Sequence, residues 1–135
     1  MIAVAAAWPE IIAAVEASAQ EVAGWITAAS PLVRTVELDA DGVWRDLAMI
    51  ALARSPSAPL ALFHSHPEGR ATLSLMDLAQ WAPTGVPRWP WPQLVVATRS
   101  QRAIAAALFV WDVGTSRPRC PAQVVRTRDG AWRAR

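Results

Sequence analysis

Apolar positions recur first at helical and then at strand spacing along this chain. Trp8, Ile11, Ile12, Val15 and Ala19 follow a 3.6-residue repeat, which predicts a first helix with Pro9 in its opening turn. Strands are expected over residues 21–27 and, after Pro31, over residues 32–38. Asp41 is placed to cap a second helix whose apolar face carries Val43, Leu47, Ile50 and Ala51. The Ser- and Pro-rich stretch 55–59 reads as a turn. Residues 60–66 then form a strand pattern, with Leu60, Leu62, His64 and His66 on one face and Ala61, Phe63 and Ser65 on the other. Pro67 cannot continue as a central strand. A helix should open at Ser74 and end near Pro83, with further strands over residues 94–97 and 104–111. Asp129-Gly130 predicts the turn of a solvated terminal hairpin. No repeat or linker interrupts this order, which reads as one α/β domain over residues 1–135.

The chemistry concentrates in one string, His64-Ser65-His66-Pro67-Glu68-Gly69-Arg70-Ala71-Thr72-Leu73-Ser74-Leu75-Met76-Asp77, which holds both histidines of the chain. Two histidines at i and i+2 on a strand point the same way, so one extended segment offers two imidazoles to one metal. Asp77 lies in the first turn of the helix that Ser74 opens, which places a third, anionic ligand beside the strand end. A catalytic zinc takes three protein ligands and keeps one position for water or substrate. Ser-x-x-Asp is also a helix-capping pattern, and Ser74 can serve both ends by capping through its backbone while its hydroxyl faces the metal.

These residues resemble the JAMM, or MPN-plus, metalloprotease motif, whose full form adds a glutamate far upstream before a small, glycine-containing strand. Glu21-Val22-Ala23-Gly24-Trp25-Ile26 matches that context, although Trp25 and Ile26 replace the usual leucines. Glu10, Glu16 and Glu37 lack it. The resemblance spans residues 8–112 and implies a cytidine-deaminase-like α/β fold with a mixed central sheet flanked by helices. It implies one zinc per chain on His64, His66 and Asp77, with Glu21 as proton shuttle and Ser74 as donor to the developing oxyanion. It further implies a peptidase or isopeptidase that cuts after the Gly-Gly tail of a ubiquitin-like or sulfur-carrier protein, beside a ubiquitin-activating-like enzyme in the same pathway. Without an obvious large insertion, a prokaryotic-type enzyme is expected. Two alternatives stay open: a non-catalytic MPN scaffold, whose members typically lose the ligands, and a zinc amidohydrolase with another substrate. The H-x-E and P-C-x-x-C pattern of a nucleobase deaminase is absent.

Composition narrows the setting. A length of 135 residues, 53% of them hydrophobic, suits one core. The single cysteine, Cys120, excludes an internal disulfide and favours a reducing compartment, so a cytoplasmic protein is expected. The apolar start lacks a basic leader and is broken by Pro9 and Glu10, and no stretch is long enough to span a membrane. All 13 basic residues are arginine, as expected of a GC-rich coding sequence or of a protein working beside a lysine-conjugating pathway. Several of them lie between Arg117 and Arg135, a tail without the interleaved aromatics of a nucleic-acid platform. Residues 81–92 hold three tryptophans, Trp81, Trp89 and Trp91, among four prolines. Three readings fit that segment: a stiff cover on the core edge, a substrate-binding wall beside the metal, or a face for a partner subunit.

Overall fold

A computed structural model describes residues 2–38, 52, 54 and 58–135. Its described elements are α1 (Ile2–Glu16), β1 (Ala23–Ile26), β2 (Val33–Val36), β3 (Ala61–Pro67), α2 (Leu75–Trp81), β4 (Gln93–Arg99), β5 (Arg102–Asp112), β6 (Arg117–Arg126) and β7 (Trp132–Ala134). The helix expected after Asp41, and the first residues of the turn at 55–59, lie outside the described residues.

All seven strands join one sheet in the order β2-β1-β3-β4-β5-β6-β7. Among the described strands only β3 and β4 run parallel, and the segment carrying α2 makes the crossover between them. The β1 strand is buried throughout and pairs with both β2 and β3. Its Gly24 is required, because a Cβ there would sit 1.9 Å from the Arg34 carbonyl oxygen and 2.9 Å from the Phe63 ring. Parallel β4 is an almost continuous buried run, as expected of a strand covered on both faces.

The two faces have separate tasks. Ala7, Ile11 and Val15, one helical stripe, carry α1 onto a face formed by Ile26, Phe63, Leu94, Val96, Ala106 and Leu108. On the opposite face Trp25, Leu52 and Leu62 pack with Val36, Trp89 and Trp91. Register puts His64 and His66 on that second face, since Trp25 and Gln93 both pair with Leu62 two residues away.

Four expectations need correction. Pro67 does not leave the sheet after His66: it is the last residue of β3 and pairs with Thr98. The first helix starts at Ile2, so Pro9 lies in its interior. The alanine-rich start is a good helix former, and Pro9 faces solvent, where the lost backbone hydrogen bond is least damaging. Ala19 falls beyond the helix end at Glu16 and is exposed. The C-terminal hairpin does form, but it is built into the sheet: β6 pairs with β5, and Trp132 meets Trp8 edge-on at 5.0 Å. Arg126 anchors it through an ion pair with Glu16 at 3.2 Å, while the same carboxylate accepts from the Ala103 N–H. No described helix is long and apolar enough to cross a membrane.

Candidate metal centre

Strand alternation turns both histidines of β3 toward α2, and the first turn of α2 returns Asp77 to them. Nε2 of His64 and Nε2 of His66 lie 3.1 Å apart, and Asp77 Oδ2 is 3.1 Å from each. Three donor atoms therefore form a near-equilateral triangle. Lone pairs aimed at one another this closely repel unless a cation or protons lie between them. Ligands on a tetrahedral zinc with bonds of about 2.0–2.1 Å would be separated by about 3.3 Å. The residues present fit such an ion, both in geometry and in donor type.

The surroundings fix each ligand. His66 Nδ1 lies 2.9 Å from the Arg70 carbonyl oxygen. A carbonyl only accepts, so Nδ1 carries the proton and Nε2 faces the cluster, as a lone pair toward a metal or, in the metal-free protein, as an N–H toward Asp77. Gly69 allows the tight turn that delivers this carbonyl: a Cβ there would come within 2.9 Å of the His66 Cβ. Asp77 is held by a capping box, in which its Oδ2 accepts from the Ser74 N–H at 2.9 Å and its own N–H donates to Ser74 Oγ at 3.0 Å. Burial would push the Asp77 carboxyl up, but hydrogen bonds from His64, His66 and Ser74 outweigh it and hold the group far below the usual carboxylate range. Burial would likewise push His66 down, yet its bonds to Asp77 and Arg70 leave it above the ordinary histidine value.

Glu21 precedes β1 and brings its carboxylate to within 4.8 Å of the histidine ring nitrogens. Burial raises its pKa, and His64 and His66 offset that only in part. Ser65 places this segment. It is 1% exposed, its Oγ accepts from the Val22 N–H at 2.9 Å, and its own N–H donates to the Val22 carbonyl at 2.8 Å. Sequence reasoning passed over Ser65. A small hydroxyl on the far face of a ligand strand was the available signal.

The expected site residues fall into two groups. Glu21, His64, His66, Ser74 and Asp77 converge around an open groove and a small adjoining cavity. Ser74 differs from expectation in one respect: its hydroxyl oxygen, not only its backbone, makes the cap, which leaves the hydroxyl hydrogen free to donate. Among the tryptophans, Trp89 lines the small cavity beside Glu21, His64 and Asp77. Trp91 is half-buried against the Trp25 and Leu62 cluster. Trp81 cannot touch a substrate, because it is 1% exposed, packs edge-on against Trp111 at 5.6 Å and donates its indole N–H to the Trp89 carbonyl at 3.1 Å. It anchors the loop that carries Trp89.

Fold and site together define a mixed α/β domain with a His-His-Asp-Glu cluster at the edge of its parallel strand pair. No family model matches the chain, and no curated protein sequence matches it. Among solved structures, the chain is similar to the solution structure of a protein from Salinibacter ruber (strain DSM 13855), at 15% identity over 94% of each chain with a TM-score of 0.52. It also matches the solution structure of a protein from Desulfitobacterium hafniense, at 16% identity over 95% of this chain and 84% of that one, with a TM-score of 0.47. The Salinibacter likeness extends to the fold alone.

Proposed function

We propose that this chain is a zinc-dependent peptidase or isopeptidase of the JAMM type, on a JAMM/MPN fold, acting after the Gly-Gly tail of a ubiquitin-like or sulfur-carrier protein. The observation that carries the reading is the 3.1 Å triangle of two imidazole nitrogens and one carboxylate oxygen, with a second, proton-hungry carboxylate beside it. His64, His66 and Asp77 would hold the ion. Zinc there would supply Lewis acidity, bringing a water's pKa toward about 7 and polarising a carbonyl. Glu21 takes a proton from the attacking water and returns it to the leaving amine, and burial suits it to the task by strengthening it as a base. The Ser74 hydroxyl hydrogen, left free by the capping box, donates to the oxygen on which negative charge develops. Glycine at the substrate tail lets the backbone approach these groups closely, because it has no Cβ. An activating-type enzyme would act on the same tail in a cytoplasmic pathway.

Cleavage is tested on ubiquitin-fold proteins that end in Gly-Gly and are extended by a few residues, with products read by intact mass. The wild type should release the extension. Glu21→Gln should bind zinc and substrate but lose turnover, and Ser74→Ala should reduce kcat about a hundredfold. Equal rates for the wild type and Glu21→Gln would refute the mechanism.

A further inference from the structure

The small cavity beside the cluster, about 30 Å³, holds two polar groups that the chemistry above does not use. Gln93 opens β4 and pairs with Leu62, which sets it on the face of His64. It is 6% exposed, and its Nε2 has no hydrogen-bond partner among the described residues. The Trp89 indole nitrogen is also buried without one, although the carbonyl of the same residue is engaged by Trp81. Both side chains line the cavity with Glu21, His64 and Asp77. Burying an N–H without an acceptor destabilises a fold, and here the two side chains that carry such donors line one cavity. The nearby acceptor Asp77 Oδ2 already serves His64, His66 and the Ser74 N–H. A cavity of this volume admits an oxygen-sized group and excludes a side chain.

We propose that Trp89 Nε1 and Gln93 Nε2 form a subsite for a second carbonyl oxygen of the substrate, one residue from the bond that is cut. This rests on the metal-peptidase reading and sharpens it. The substrate would be a peptide-like acyl chain with a backbone carbonyl next to the reacting one. A simple amide could not reach the donors.

Two metal-binding probes that differ by this one amide test the subsite on the full chain loaded with cobalt, which reports binding through its visible spectrum. Acetohydroxamate lacks the second carbonyl, and N-acetylglycine hydroxamate carries it. The wild type should prefer the longer probe by about tenfold or more, as two added hydrogen bonds imply. Trp89→Phe keeps an aromatic ring without the N–H, and Gln93→Leu keeps volume without the amide. Each should reduce the preference about threefold to tenfold while affinity for acetohydroxamate stays within about twofold. The free variants should unfold at the same temperature as the wild type or higher, since a buried unpaired donor is gone. Equal affinity of the wild type for both probes would mean that the donors hold only water, and a preference that survives the double replacement would also overturn the subsite. If neither probe perturbs the cobalt spectrum, the metal-centre reading fails and the subsite with it.

Discussion

His66 is held at both ring nitrogens, by the Arg70 carbonyl on one side and by the cluster on the other, and this gives the metal-free protein a predictable response to pH. Its pKa is raised above 6.5 in the fold, so its stabilising contribution is complete below that value and is lost as pH rises through the folded pKa. Glu21, raised above 4.5, acts in the same direction at lower pH. Asp77 is depressed below 3.8 and acts in reverse, its contribution present above that value and lost in acid. With chelator present, the melting temperature should therefore fall between about pH 6 and about pH 8. With zinc present it should rise over the same interval, because the ligands must shed their protons to bind a metal. Thermal denaturation at several pH values, with and without zinc, checks both slopes. Parallel slopes would contradict a shared site for proton and metal.

At the scale of elements, the site depends on β1 lying close between β2 and β3. Gly24 makes this possible, and Glu21 hangs from the same segment through Val22 and Ser65. Gly24→Ala drives a Cβ into the Arg34 carbonyl, which is backbone and cannot swing aside. The expected loss is about 2–3 kcal/mol, or failure to fold, measured by urea denaturation. A neutral result would mean that β1 and β2 separate readily. The strand pattern of β3 and the helix start at Ser74 were readable because each is a local periodicity or capping signal. The β4–β5 hairpin was less so. Its turn residues, Ser100 and Gln101, both adopt positive φ without the usual Asn-Gly pair, and the backbone N–H of Ser100 donates to Glu68 across 32 positions.

Across the whole molecule, a metal at this cluster would tie β3 to α2 on one face, while α1 and the core beneath it occupy the other. Elemental analysis of tag-free protein should find one zinc per chain, and the joint replacement of His64 and His66 by alanine should abolish it. Removing the metal should speed amide exchange in α2 and around Val22 and leave α1 protected, since only the first group hangs on the ligands. Uniform loosening, or none, would argue against a cross-link at this position.

The sequence alone determined what depends on neighbours along the chain: the alternation that turns His64 and His66 to one side, the cap that sets Asp77 in a first turn, and the α/β order. Glu21 was reached only through a family resemblance, because it lies 43 positions from His64 and comes near it through the pairing of β1 with β3. Pairing over such distances leaves no periodic trace. For the same reason only the tertiary structure could sort the tryptophans, burying Trp81 as an anchor and leaving Trp89 beside the cluster. It also drew the arginine-rich tail into the sheet through Arg126 and Glu16, and it brought Gln93, an unremarked residue at a strand start, into the site. Composition records which side chains can be buried. Which of them share a cavity is decided by the register of strands far apart in the chain.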